Sequence, residues 1–531
     1  MKSRNKTILL ISMLVMLICC VSAVSATDAD NITVPDDTPV IEIDDAVDSV
    51  DEVKIDENDN GDDNPVTTSK AVTVTDTDYS KCFDSNGYLN DDAVTELTFS
   101  GNFSAKSFGN FKINKTIPLN VAGATFNGVS FDLLADNLVL DGARFVYNSH
   151  GAVVYVDSDN DVVQNLNIVV NTPSTADTFA ILVENSKNVQ ILNNVITYTA
   201  STANQNCYNH VIRVDGGKNV TVSRNNITAY LPLKKVDFDQ PYPSIYTDKV
   251  AGVAVQSSNE FKFTYNRLLV NVSVTNYDYP TLDALIIVDS NNSYIGHNTI
   301  IEIDDETEEG NNNYLYAIDI YQCYDITIDD NNITLESKGG SIIPGTNNGT
   351  GTAYGIQLTG GHTGVTISNN YIHTSNNGPN AGIYSQNFMG RTELTITDNT
   401  IYVEGNAGEH EWSLVTGMEL GDDYAYVEGN TITVVNKAPY ESGDNAYGIS
   451  YSQWTPNVHV YEIYDNTVTV TNGDYAVYLL SADDTNVNNN CLDTTNYCCD
   501  NAVIIGSGSN NDVSDNYCTQ CSNCPNCSGC H

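Results

Sequence analysis

One short triplet, Asn followed by any residue and then an apolar one, recurs along this chain and constrains its fold more than any other feature. Well-formed copies stand at Asn194-Val195-Ile196, Asn225-Asn226-Ile227, Asn298-Thr299-Ile300, Asn331-Asn332-Ile333, Asn370-Tyr371-Ile372, Asn399-Thr400-Ile401, Asn430-Thr431-Ile432 and Asn466-Thr467-Val468. Looser copies begin at Asn167, Asn266, Asn490 and Asn516. Upstream of each lies a second apolar run, such as Ala180-Ile181, Val211-Ile212, Gly252-Val253 or Ala317-Ile318. The step from that run to its Asn is the same from Ile181 to Asn194, Ile212 to Asn225, Val253 to Asn266 and Ile318 to Asn331, and one longer from Ile356 to Asn370. Ile383 to Asn399 and Ile449 to Asn466 stray furthest. The step from each Asn onward to the next run is far less regular, short between Asn466 and Val477 and more than twice as long between Asn225 and Val253.

A repeat with one rigid half and one elastic half suits a stacked coil, because paired strands must keep their spacing while insertions bulge from one corner. Inside the rigid half the pattern alternates, as in Val220-Thr221-Val222 and Ile326-Thr327-Ile328, which marks strands with one face inward. Asn suits the corner because it tolerates left-handed backbone and bonds its own turn. Stacked once per rung, its amides also bond each other along the axis. The expectation is an all-β chain: a single-stranded right-handed parallel β-helix, or solenoid, of about twelve or more rungs, roughly 55 Å long at about 4.8 Å per rung. An array of β-sandwiches would need a period of about 100 residues, and none is present.

Around this coil the chain divides into five parts. Residues 1–26 read as a signal peptide, with Lys2, Arg4 and Lys6 before an apolar run from Ile8 to Val21 and small residues up to Ala26. The run is shorter than the roughly 20 residues of a membrane span, so the expected location is secreted, at a cell surface or outside it. Residues 27–78 read as a disordered acidic spacer, since Thr27 to Lys70 holds fifteen Asp and Glu, two Lys and no aromatic residue and cannot bury enough apolar surface to fold. Residues 79–150 are expected to form an amino-terminal cap and first rungs, 151–516 the β-helix repeats and 517–531 a Cys-rich tail.

The formal net charge of −46 makes nucleic acid an unsuitable partner, because such binding rests on neutralising phosphates. No transmembrane segment is expected in the mature chain. Extracellular glycans or cell-surface proteins fit better. Ten N-glycosylation sequons follow the signal, of which Asn226 and Asn332 sit where side chains should point outward.

Segments such as Asn219-Val220-Thr221-Val222-Ser223-Arg224-Asn225-Asn226-Ile227 and Gly364-Val365-Thr366-Ile367-Ser368-Asn369-Asn370 resemble parallel β-helix repeats. Together with the leader and spacer, they make the chain similar to the adhesin-like surface proteins known mostly from methanogenic archaea. That resemblance implies a binding or adhesive role. The same coil also serves lyases, hydrolases and epimerases, so the fold leaves chemistry open.

No familiar catalytic set appears. Polygalacturonases present paired aspartates before Gly-His-Gly and a later Arg-Ile-Lys, whereas here Gly361-His362-Thr363 precedes Gly421-Asp422-Asp423 and Arg-Ile-Lys is missing. Arg213, Arg224, Arg267 and Arg391 fall in different rungs without a common register. The chain is therefore read as a binder more than a catalyst, with no catalytic residue and no cofactor assigned; a polysaccharide lyase or hydrolase and a structural wall component are the alternatives. The candidate binding surface is the largest insertion, Leu231 to Val250, with Lys234, Lys235, Phe238, Tyr242 and Tyr246. Tyr316, Tyr354, Tyr447 and Tyr475 are expected to stack between rungs.

Cysteines crowd the carboxy end: Cys491, Cys498, Cys499, Cys518, Cys521, Cys524, Cys527 and Cys530. In an exported chain they read as disulfides capping the last rung. A thiolate-bound metal or iron–sulfur site is the rival, intermolecular cross-links to other wall proteins are a third use, and calcium remains an open cofactor.

Overall fold

The computed structural model describes residues 70–104, 109–172, 176–200, 207–234, 250–275, 281–304, 314–338, 341–342, 349–386, 393–407, 414–421, 424–438, 445–451, 460–473 and 475–518. These residues form a right-handed parallel β-helix whose three long sheets hold 14, 13 and 14 strands, here named A, B and C in the order that each rung visits them. One rung illustrates all: Thr178–Glu184 in sheet A, Gln190–Leu192 in B and Val195–Ala200 in C. In the next rung Ile212 lies over Ile181, Val222 over Ile191 and Ile227 over Ile196. Like therefore stacks on like, and the column Ile196, Ile227, Leu268, Ile300, Ile333 and Ile372 is fully buried. Burying each such side chain contributes roughly 1.5–3 kcal/mol, and the repeat supplies one per rung.

The core narrows beside sheet A, where Gly355, Gly382, Gly417 and Gly448 occupy successive rungs. A Cβ on Gly417 would lie 2.3 Å from Ile432 Cγ2 and 2.6 Å from the Gly448 carbonyl oxygen. Glycine is required there for close approach of backbone to core, which explains why the second apolar run so often begins with Gly or Ala.

The ladder runs through eleven asparagines. Each Nδ2 from Asn194 to Asn490 donates to the Oδ1 of the next ladder Asn at 2.9–3.2 Å. The order is Asn194, Asn225, Asn266, Asn298, Asn331, Asn370, Asn399, Asn430, Asn466, Asn490 and Asn516. At the far end Asn516 Nδ2 donates to Asp500 Oδ1 at 2.8 Å.

Two sequence expectations about this ladder are corrected. Asn167 is not a member: it is exposed on sheet C, and the backbone N–H of Leu166 bonds Asn194 Oδ1 at 2.9 Å instead. The reason is a turn one residue shorter, since Val156 stacks on Val183 and Val162 on Gln190. The left-handed residue is also not the ladder Asn but the one before it, as at Asn193 (φ 53°), Asp330 (51°), Asn369 (56°) and Asp398 (57°).

At the amino end Lys70–Val74, Val94–Phe99 and Leu119–Asn120 form a separate parallel sheet. Below it Phe83, Phe99, Phe103, Phe111, Phe126, Phe131 and Phe145 are all buried, with Phe126 and Phe131 ring centroids 4.8 Å apart. The strand at Lys70–Val74 shortens the spacer expected up to residue 78, because the alternation of Ala71-Val72-Thr73-Val74 outweighs its acidic surroundings. The expected signal peptide and the rest of the expected spacer lie outside the described residues.

Candidate functional site

Side chains of sheet A that face away from the core form a surface running the length of the coil. At its amino end this surface opens into a cleft of about 640 Å³, lined among others by Asn110, Ser130, Asp132, His150, Tyr155 and Phe179. The register places them: Ser130 lies over Asn110, Tyr155 over Asp132 and Phe179 over Ala152. Lys112, Asp132, Tyr155 and Leu182 thus make one outward column, at about 4.8 Å per step.

Asn110 Nδ2 donates to Asp132 Oδ2 at 2.8 Å, while Asn110 Oδ1 is buried with no partner among the described residues. Burial raises the Asp132 carboxyl above the usual range, with the Asn110 bond and the Lys112 charge pulling back. Tyr155 donates its hydroxyl to Glu184 Oε2 at 2.8 Å, and Tyr147 donates to the His150 carbonyl at 2.7 Å. Asp132 is the one carboxylate among the described lining residues. The rest of the named lining is amide, hydroxyl, imidazole and aromatic ring, groups that offer hydrogen bonds and a flat apolar face.

Further along the same face the outward residues are buried and include charged ones: Asp283, Asp319 and Glu419 are 1%, 3% and 6% exposed. Burial pushes the Asp319 carboxyl up to about 7, against hydrogen bonds that lower it, the Gln357 amide first. Gln357 Nε2 donates to Asp319 Oδ1 at 3.2 Å. The tyrosines expected to stack do so here: Tyr316 on Tyr354 at 5.7 Å, Tyr354 on Tyr384 at 4.4 Å, Tyr447 on Tyr478 at 4.6 Å. Tyr475 stacks on Tyr497 at 5.5 Å.

The insertion expected to bind fares differently. Residues 231–234 are not loop but the end of the strand Asn226–Lys234, paired with Val272 to Thr275, and Val250 begins the next strand. The proline hid the alternation of Leu231-Pro232-Leu233. Lys235, Phe238, Tyr242 and Tyr246 lie outside the described residues, as does the side chain of Lys234.

At the carboxy end Cys491 is buried in the strand Cys491–Thr494. Cys498 and Cys499 are both disulfide-bonded, and their sulfurs lie within 4.8 Å of each other and of Cys518 Sγ. Cys521, Cys524, Cys527 and Cys530 lie outside the described residues.

The amino-terminal cleft escaped sequence reasoning because Asn110, Ser130 and Asp132 come from rungs without the Asn triplet, which hides how they align with Tyr155 and Phe179. The one available signal was the outward pair Asn110 and Asp132, each beside an apolar residue of its own strand.

No protein-family model matches the chain, and no curated protein matches its sequence. Among solved structures the chain is similar to the Dettilon tailspike protein, at 12% identity over 73% of this chain with a TM-score of 0.43. It spans 64% of that protein's length. It is also similar to the catalytic domain of a GH87 alpha-1,3-glucanase in complex with nigerose, at 12% identity over 86% of this chain and 70% of the other, with a TM-score of 0.34. Among the described residues no helix is long and apolar enough to cross a membrane.

Proposed function

We propose that this chain is exported and binds glycans at a cell surface, with the amino-terminal cleft of sheet A as its sugar site. The observation that carries the reading is Asp132, half-buried and held by Asn110 beside the rings of Tyr155 and Phe179. A carboxylate next to an amide can accept from and donate to neighbouring sugar hydroxyls, while an aromatic ring covers the apolar face of the sugar. The leader, the acidic segment and the stiff coil support export and display, as in an adhesin or a wall component. Calorimetry of the mature chain against neutral oligosaccharides tests the site. Asp132→Asn and Tyr155→Ala should each weaken binding about tenfold, which is about 1.4 kcal/mol. Unchanged affinity in both variants, or no binding by the parent chain, sinks the assignment.

One observation favours turnover as a second reading. Asp319, raised to about 7, has the protonation of a general acid at neutral pH, and Asp283 stands on the adjacent strand of the same face. Release of reducing ends from a polysaccharide, abolished by Asp319→Asn, is the expected sign; no release from any glycan retires it.

The cysteine tail we propose as a covalent cap over the final rung, supported by the bonded state of Cys498 and Cys499 immediately before the ladder's last acceptor, Asp500. A thiolate-held metal would require those bonds reduced. Thiol counting on denatured protein should find Cys498 and Cys499 blocked, and reduction should lower the melting temperature. Free thiols at both positions with one bound metal would overturn the cap.

A further inference from the structure

The corner between sheets B and C places one residue per rung in left-handed backbone, just before the ladder Asn. In most rungs it is Asn, Asp or Gly, the residues that accept this conformation most readily. Three consecutive rungs break the rule: Arg224 (φ 56°), Tyr265 (56°) and His297 (58°). His tolerates this backbone better than most, but retaining Arg and Tyr in it on adjacent rungs calls for a reason other than the fold.

Their side chains form one stack. The Arg224 guanidinium lies 5.6 Å from the Tyr265 ring centroid. Tyr265 and His297 rings are 4.7 Å apart and nearly parallel at 13°, and His297 Nδ1 bonds Asp330 Oδ2 at 2.7 Å. The stack is on the outside, with Tyr265 54% exposed. Lys262 and Arg267 flank Tyr265 and are exposed on sheets B and C. Across the outer face of sheet B, Lys187 and Lys218 complete the group. Their pairings with Asp159 at 3.8 Å and Glu260 at 3.6 Å are exposed at both partners, so solvent screens them and leaves both lysines available to a ligand.

Five of the 22 Lys and Arg of a chain with net charge −46 therefore gather on three neighbouring rungs. Arg224, Arg267 and Lys262 form no ion pair among the described residues. In sequence the arginines looked scattered; Arg224 and Arg267 in fact sit on adjacent rungs about one ring, that of Tyr265.

We infer that this corner binds an anionic polysaccharide, one bearing a carboxylate or sulfate on successive sugars. The cations repeat at about one rung, or 4.8 Å, so the ligand must carry closely spaced anions. Arg presents a planar fork suited to carboxylate or sulfate. The half-buried hydroxyls of Thr221 and Thr264 on the outer surface of sheet B offer partners to sugar hydroxyls, which favours a glycan over an acidic peptide. The surface is on sheet B and its corner, separate from the sheet A cleft, and stands whether or not the cleft binds sugar.

The test uses the full mature chain, with polygalacturonate as probe, a neutral galactan as control and a poly-glutamate peptide as rival. Because Asn is the natural occupant of this corner in other rungs, Arg224→Asn relieves backbone strain instead of adding it. The parent chain should bind polygalacturonate at 50 mM salt, and at least tenfold more weakly at 300 mM, as counterion screening requires. Arg224→Asn combined with Arg267→Asn should weaken polygalacturonate binding at least tenfold while the melting temperature stays equal or rises. Failure to bind polygalacturonate, an equal loss of galactan binding on the double substitution, tighter binding of poly-glutamate, or indifference of polygalacturonate binding to the double substitution each overturns the proposal.

Discussion

Replacing Asn331 by alanine should lower the stability of the coil by roughly 3–6 kcal/mol, the cost of leaving two or three buried polar groups without partners. One side chain serves three rungs. Its Oδ1 accepts from the Asn298 backbone N–H at 3.0 Å and from Asn298 Nδ2 at 2.9 Å. Its Nδ2 donates to the carbonyls of Ile295 at 2.9 Å and Asp329 at 3.1 Å, and to Asn370 Oδ1 at 2.9 Å. Most of these groups are buried, and each one stranded costs about 1–3 kcal/mol. Asn332, the next residue along, is exposed on sheet C, so Asn332→Ala should change stability by less than about 0.5 kcal/mol. Urea unfolding of the two variants beside the parent chain makes the comparison, and equal midpoints for the two would refute the ladder as a source of stability. The amino end shows what a rung without the amide looks like: at Leu166 the chain gives only a backbone N–H to the ladder.

Most of this architecture was legible because it is periodic. The constant step from apolar run to Asn, as from Ile181 to Asn194 and from Ile318 to Asn331, identified sheet A, the corner and sheet C together, and the amides had to line up once the strands did. What was not legible depends on departures from the period. Asn167 satisfied the triplet but sits one residue past the ladder, since its turn is shorter by one. The rungs of Asn110 and Asp132 have no triplet at all, so these two residues of the amino-terminal cleft carried no mark. The stack of Arg224, Tyr265 and His297 was hidden for the opposite reason: rungs of unequal length separate the three in sequence, and only the register brings them onto one corner. Sequence reasoning placed function in the longest insertion, most of which lies outside the described residues; among the described residues polar chemistry gathers on the rigid faces.

Glu302 should make the protein less stable as pH rises through neutrality, and Glu302→Gln should remove that loss. Its side chain points into the coil, between Val270 and Leu335 of the adjoining rungs, and is fully buried. Neither carboxyl oxygen has a hydrogen-bond partner among the described residues; the Ala284 backbone N–H approaches without completing a bond of normal geometry. Burial first, and then the charge of Asp304, hold its carboxyl well above the usual range, with Ala284 pulling back weakly. The folded state therefore keeps a proton that the unfolded chain releases near 4.5. Above that pH the unfolded state binds fewer protons, so stability falls by roughly 1 kcal/mol or more per pH unit until the folded carboxyl also ionises. Below it the loss vanishes. Asp161, raised to about 6, and Asp319, raised to about 7, push in the same direction over narrower windows, so the parent chain should be most stable in mild acid. Glutamine keeps the volume and cannot ionise. The variant and parent should differ least at pH 4, and the variant should gain on the parent by roughly 2 kcal/mol or more between there and pH 7, with a shallower slope. Identical slopes from pH 4 to 8 in the two proteins would show that Glu302 does not hold its proton in the folded coil.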